Sequence, residues 1–245
     1  MLTTTPDPAR LAATETWLFD LDNTLYPADC DLFAQIDRRM GEFISRLFDV
    51  DAVEAKRRQK GFFQQHGTTL RGLMVDHGVD PAEFLGYVHN IDLSPLPHLP
   101  ELRATLQALP GRKLIFTNGT VAHAERVMGR LGIADCFEAV FDIVASDYLP
   151  KPRPEPYAKL LAEHGVEPTR ATMVEDMARN LAPAARLGMA TIWVPTRSDW
   201  AQPGPDEAAH IHHVAPDLTA FLSALLIKDA NPAEASPAKA NPAKG

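Results

Sequence analysis

The sequence predicts an α/β fold: a doubly wound, Rossmann-like parallel sheet with a helical domain inserted after its first strand. Three observations predict it. Short apolar runs of strand length alternate with helical stretches along much of the chain, the pattern of a parallel sheet covered by helices. Acidic, hydroxyl and lysine side chains recur where those runs end, which in open α/β sheets is the ligand-binding edge. Residues 31–99 break the alternation, with helical periodicity and no convincing strand.

In chain order, residues 1–13 carry Thr3-Thr4-Thr5-Pro6-Asp7-Pro8 and little apolar content, and are expected to be a flexible lead. The core is assigned to 14–30 and 100–228. Its strands are expected at Thr16–Phe19, Lys113–Thr117, Ala139–Ala145, Thr172–Val174 and Thr191–Val194, with a weaker one near Ile211–Val214. Helices fit Val121–Leu131, Glu155–His164, Leu181–Leu187 and Leu218–Leu226, several followed by Gly (Gly132, Gly165, Gly188), as helix C-termini prefer. Within 31–99, Phe33, Ile36, Met40, Phe43, Ile44 and Leu47, then Leu70, Leu73 and Met74, then Phe84, Leu85 and Val88 suit several amphipathic helices. Residues 229–245 repeat a proline-containing five-residue unit that can neither continue a helix nor bury much surface, so this tail is expected to be disordered.

The 245 residues, 45% hydrophobic, suffice for a core domain carrying an insertion. With 24 Lys and Arg against 32 Asp and Glu, the formal net charge of -8 disfavours a nucleic-acid polymer or an anionic membrane as partner. A small anionic substrate remains compatible. Cys30 and Cys136 show no metal-ligand spacing and read as ordinary thiols of a reduced cytoplasmic protein. No apolar run approaches the roughly 18 residues of a spanning helix, and Met1 to Thr16 lacks a signal pattern, so a soluble, cytoplasmic protein is expected. Oligomeric state is not legible.

Four signals carry chemistry. Asp20 and Asp22, in Phe19-Asp20-Leu21-Asp22-Asn23-Thr24, are two carboxylates one residue apart at a strand end, where their repulsion calls for a cation or a shared proton. Thr117-Asn118-Gly119-Thr120 offers a hydroxyl, an amide and exposed N–H groups before a helix, a turn able to hold phosphate oxygens. Lys151 stands among Pro150, Pro152 and Pro154, which stiffen its loop. Glu175-Asp176 ends a further strand, with Asn180 close behind.

In that order, Asp20-Leu21-Asp22-Asn23-Thr24, Thr117, Lys151 and Glu175-Asp176 resemble the four motifs of the haloacid dehalogenase superfamily over about Thr14 to Leu226. The insertion resembles that superfamily's helical cap of the first type. Gly67-Thr68-Thr69-Leu70-Arg71-Gly72-Leu73 and Glu175-Asp176-Met177-Ala178-Arg179-Asn180-Leu181 are similar to the pyrimidine 5′-nucleotidase branch. The resemblance implies a phosphomonoesterase in which Asp20 is the nucleophile and forms an aspartyl-phosphate, while Asp22 is acid and then base. It implies Mg²⁺ held by Asp20, the backbone carbonyl of Asp22 and Asp176, with Glu175 orienting Lys151 or a water. Lys151, Thr117 and the Asn118 N–H would neutralise the phosphoryl oxygens.

A dehalogenase has no leaving alkoxide to protonate and lacks the second Asp, so Asp22 favours a phosphatase. Its anionic neighbour is expected to raise its pKa. In the cap, His66, Thr68, Thr69 and Arg71 are candidates for contact with a nucleoside, Thr69 and Arg71 being the substrate-binding pair. His123 reads as a surface or packing residue, and metal binding by His210, His212 and His213 is disfavoured. The alternatives are a phosphatase for another metabolite, such as a sugar phosphate or phosphoglycolate, and a receiver-like protein that stores phosphate on Asp20 without turnover.

Overall fold

A computed structural model describes residues 11–198 and 201–230, so the greater part of the expected lead and of the proline-rich tail lies outside the described residues. Where the lead is described, Leu11 is buried in the main apolar cluster rather than solvated. Six parallel strands form one sheet: β1 (Thr16–Phe19), β2 (Arg112–Phe116), β3 (Ala139–Phe141), β4 (Ala171–Glu175), β5 (Ala190–Trp193) and β6 (His213–Val214), in the order β3-β2-β1-β4-β5-β6. The order reverses around β1, whose Phe19 lies opposite Ile115 of β2 and Val174 of β4. Ligands bind outside the carboxyl ends of the strands at such a switch point.

The strands read as continuous apolar runs because helices cover both faces of the sheet. Alternation along each strand divides the core into two layers. Phe19, Ile115 and Val174 enter one cluster, and Leu18, Leu114 and Met173 the other. The sequence overextends β3: the strand ends at Phe141 because the Asp142 carboxylate accepts the N–H groups of Ala145 (2.8 Å) and Val121 (2.9 Å), turning the chain there. Short-side-chain acceptors favour such turns over strand continuation.

The insertion carries α1 (Leu32–Phe48), α2 (Ala52–His66), α3 (Thr69–His77) and α4 (Pro81–Val88). Asp51, Thr68 and Asp80 cap the last three, each accepting a backbone N–H of the first turn. Phe43 and Phe84 meet edge to face at 5.1 Å. A Cβ on Gly72 would lie 2.6 Å from Phe62, so only glycine permits this approach of α2 and α3.

Core helices are α5 (Pro100–Ala108), α6 (Val121–Leu131), α7 (Pro154–His164), α8 (Ala178–Arg186), α9 (Pro205–Ala208) and α10 (Leu218–Ala230). Gly132 and Gly165, at φ of 79° and 60°, close α6 and α7 in the left-handed region, as their sequence positions predict. Contacts on two sides tie the insertion to this core. Arg126 on α6 donates to the carbonyls of His89 (2.9 Å) and Ile91 (3.0 Å). On the other side Arg179 of α8 reaches the Gly67 carbonyl at 3.4 Å and stacks its guanidinium over Phe63 at 4.4 Å.

Candidate active site

The four sequence motifs converge at the carboxyl ends of β1, β2 and β4. Asp20 prolongs β1, its N–H donating to the Val174 carbonyl of β4 at 2.9 Å. The chain then turns tightly, with Asn23 at φ 62° and the N–H groups of Thr24 and Leu25 both returning to the Leu21 carbonyl. Asparagine tolerates that left-handed conformation better than most residues. The turn points Thr24 back at the sheet. Its hydroxyl donates to Asp20 Oδ2 at 3.0 Å and accepts the Asp176 N–H at 3.0 Å, fastening the first motif to the last.

Lys151 crosses the centre of the site, 1% exposed. Its ammonium lies 2.7 Å from each of Asp20 Oδ1, Glu175 Oε2 and the Phe116 carbonyl, which uses all three of its protons. Burial opposes its charge, but Asp20 and Glu175 outweigh this and push its pKa up. The Asn118 side chain braces the lysine loop, accepting the Lys151 N–H at 2.9 Å and donating to its carbonyl at 3.4 Å. The amide is thereby occupied, and only the backbone N–H of Asn118 is left to face a ligand. Glu175 is engaged at both oxygens, since Oε1 accepts from Asn180 Nδ2 at 2.9 Å. Its position fits the orienting role.

Asp176 differs. Its backbone is used, the carbonyl accepting from Trp193 Nε1 at 2.6 Å, yet its carboxylate has no donor among the described residues. Burial first, then the charges of Glu175 and Asp20, raise its pKa well above the carboxylate range. Carboxylate oxygens of Asp20, Glu175 and Asp176 all lie within 4.8 Å of one another with Lys151 as the one cation among them. A cluster of three carboxylates, with the Asp176 oxygens unclaimed by any donor among the described residues, fits a hard divalent cation.

Thr117 directly follows β2, its hydroxyl accepting the Gly119 N–H at 2.9 Å, so its own proton is available to a ligand. A Cβ built on Gly119 would sit 3.3 Å from that hydroxyl and 3.8 Å from Asp22 Oδ2. The missing side chain therefore leaves open the space between the Thr117 hydroxyl and the second aspartate.

Asp22 corrects the sequence-based expectation. Burial does push its pKa up, but His123 and the Tyr26 hydroxyl outweigh burial and bring the carboxyl down to about 2. Tyr26 Oη donates to Asp22 Oδ1 at 2.7 Å, and His123 Nε2 lies 2.9 Å from the same oxygen. Asp20 instead is raised to about 7, by burial and then by Glu175 against the pull of Lys151. His123 is also corrected: it is 1% exposed and part of the site. The sequence did carry a signal, because His123 stands three residues beyond Thr120, which caps α6 directly above the Thr117 turn.

In the insertion, Thr68 is spent capping α3 and His66 pairs with Asp76 at 2.9 Å. Thr69 is buried at the start of α3 and Arg71 is half-buried. No hydrogen bond among the described residues joins either side chain to the four motifs. His212 Nδ1 accepts the Thr191 N–H at 3.0 Å and His213 packs on Phe221, so those histidines serve β5 and β6.

The chain spans 61% of the length of "Phosphate metabolism protein 8" of Saccharomyces cerevisiae, to which it is 29% identical over 202 residues, 75% of this chain. Among solved structures, a "HAD phosphatase" of Thermococcus onnurineus superposes with a TM-score of 0.56 at 20% identity, covering 82% of this chain and 93% of that one. L-2-haloacid dehalogenase of Xanthobacter autotrophicus gives 0.52 at 17% identity, with 86% and 97% covered. Likenesses of that order show the fold. The family model of the haloacid dehalogenase-like hydrolases matches residues 14–188, the span that holds all four motifs, and the chain belongs to that family of hydrolases.

Proposed function

We propose that this hydrolase is a Mg²⁺-dependent phosphomonoesterase that works through an aspartyl-phosphate, with pyrimidine nucleoside 5′-monophosphates as preferred substrates. One observation carries the choice of phosphoryl over haloacid chemistry. Asp22 stands beside Asp20 with one oxygen tied by Tyr26 and His123, while Oδ2 borders the open space in front of Thr117. A leaving alkoxide needs such a group, and a leaving halide does not.

An Asp20 oxygen attacks phosphorus and the ester P–O bond breaks, the leaving oxygen taking a proton from Asp22. Water then attacks the phosphoryl group, Asp22 accepts its proton, and the bond to Asp20 breaks to release phosphate. The low resting pKa of Asp22 means that it must gain its proton in the substrate complex. A phosphate dianion beside it works in that direction. Lys151, the Thr117 hydroxyl and the Asn118 N–H supply positive charge and donors to the phosphoryl oxygens. Asp20, the Asp22 carbonyl and Asp176 would hold Mg²⁺, which supplies charge neutralisation at the phosphoryl group. Glu175 positions Lys151.

The nucleotide preference rests on the Gly67 to Leu73 segment, whose Gly67 meets both Pro150 and Arg179 at the seam with the core. From there Thr69 and Arg71 are the candidates for leaving-group contact. Phosphate release from a panel of nucleoside monophosphates, sugar phosphates, phosphoglycolate and an aryl phosphate, with and without Mg²⁺, tests the reading. Expected are Mg²⁺-dependent turnover highest on UMP or CMP, loss of turnover in Asp20→Asn, and loss of the nucleotide preference alone in Arg71→Ala. Retention of more than a few per cent of the rate in Asp20→Asn would sink the covalent mechanism, and a preference for phosphoglycolate would sink the nucleotide assignment.

A further inference from the structure

The two oxygens of Asp22 are treated unequally. Oδ1 is approached by both Tyr26 Oη (2.7 Å) and His123 Nε2 (2.9 Å), whereas no protein donor among the described residues reaches Oδ2. Tyr26 and His123 are themselves immobilised, being 2% and 1% exposed. His123 is held by α6, where its N–H donates to the Thr120 hydroxyl oxygen at 3.2 Å. On its other side the ring of His89, which follows α4 of the insertion, stacks at 4.4 Å with the planes 16° apart. The same Thr120 hydroxyl lies 3.2 Å from His89 Nδ1. The insertion thus packs against the imidazole that grips Asp22.

We propose that His123 is a positioning residue: with Tyr26 it locks the Asp22 carboxylate in one rotamer, Oδ1 tied and Oδ2 presented to the reacting oxygen, with His89 of the insertion as its backing. This rests on the phosphomonoesterase reading for its kinetic consequence but not for its geometry. An untethered Asp22 has other staggered rotamers open to it, and only the one that faces the Thr117–Gly119 space can serve a leaving group there. His123 touches no substrate in this arrangement. It acts through Asp22.

His123→Phe keeps the ring volume and removes the donor, and His123→Gln returns an N–H near the Nε2 position. Single-turnover release of the leaving group from an alkyl phosphate is expected to fall about 10- to 100-fold in His123→Phe, within the range of general acid–base contributions. Release from an activated aryl phosphate should fall far less, KM should stay within about threefold on both, and His123→Gln should recover most of the loss. His89→Ala should give a smaller loss with the same leaving-group pattern. Equal loss on both leaving groups, or no loss on either, would overturn the positioning role. Crystal structures of the wild type and His123→Phe provide a second arm that needs no turnover: an unchanged, singly populated Asp22 rotamer in the variant overturns the proposal. If wild-type protein releases phosphate from no ester, the phosphatase reading has failed, and the rotamer comparison alone decides whether His123 positions Asp22.

Discussion

Replacing Lys151 by Met removes a buried charge without removing much volume, and the surroundings determine the cost. Lys151 Nζ holds Asp20, Glu175 and the Phe116 carbonyl, each at 2.7 Å, and the methionine leaves all three without that donor. Breaking a buried ion pair by removing one partner costs about 3–5 kcal/mol. Carboxylates have an escape that the lysine lacked, because they can take up protons. Asp20 is already raised to about 7 by burial and Glu175, and without the ammonium the cluster must hold one proton more than it does in the wild type.

The sign follows from linkage. A carboxyl whose folded pKa is raised stabilises the fold fully below its unfolded pKa and loses that contribution as pH rises through the folded value. Wild-type Lys151 is charged in both states from pH 5 to pH 8, so its own titration does not contribute. One additional retained proton is worth about 1.4 kcal/mol per pH unit, or about 4 kcal/mol at most across that window. Urea unfolding in EDTA should therefore show Lys151→Met destabilised by about 4 kcal/mol at pH 8 and by only about 1–2 kcal/mol at pH 5. A loss that is the same at both pH values, or below about 1 kcal/mol at pH 8, would refute the view that this lysine neutralises a buried acidic cluster.

Two further outcomes follow from the same site. Because the Asp20 carboxyl sits at about 7, protons should compete with Mg²⁺: a concentration 100-fold above Kd at pH 8 should stabilise the protein by about 2.7 kcal/mol, falling to about 0.4 kcal/mol at pH 5 as Kd rises about 100-fold. Thermal denaturation checks this, and Asp176→Asn should remove the Mg²⁺ effect; an equal effect at both pH values would separate Asp20 from the metal. Gly119→Val should raise KM for every phosphomonoester by about tenfold or more while the protein stays folded, since its Cβ alone would stand 3.3 Å from the Thr117 hydroxyl, and overpacking costs about 1–3 kcal/mol. An unchanged KM would show that phosphate does not occupy that space.

What the sequence revealed and what it hid have separate physical causes. Strands β1, β2, β4 and β5 were legible because strands buried on both faces must be continuous apolar runs, and three of the four motifs were legible because each directly follows such a run, whereas Lys151, ten residues beyond β3, was marked by the prolines around it. The end of β3 was not, since the Asp142 carboxylate stops a segment whose composition still reads as strand. The histidine at Asp22 was hidden by distance along the chain: 101 residues separate the two, and only the sheet order places α6 over the end of β1. Within the insertion, the resemblance suggested polar contacts to a nucleoside, but Thr68 is consumed by a helix cap and His66 by Asp76. A polar residue near a helix start serves the helix unless something else competes for it.

The largest departure concerns charge. Adjacency along one strand end predicts that Asp22 is the carboxyl pushed upward, because like charges repel. The fold instead divides the two aspartates between unlike environments: Asp20 shares a dry cluster with Glu175 and rises to about 7, while Asp22 faces an imidazole and a phenol and falls to about 2. Environments that drive two carboxyls apart mark distinct roles. In the resting site their order is the reverse of what attack by Asp20 and protonation by Asp22 require. Cationic charge placed at Asp20 and Asp176 lowers the first value, and anionic charge placed beside Asp22 raises the second, so the components of a metal–phosphate substrate complex each act in the needed direction. A dehalogenation would bring neither the cation to the first group nor a phosphate to the second.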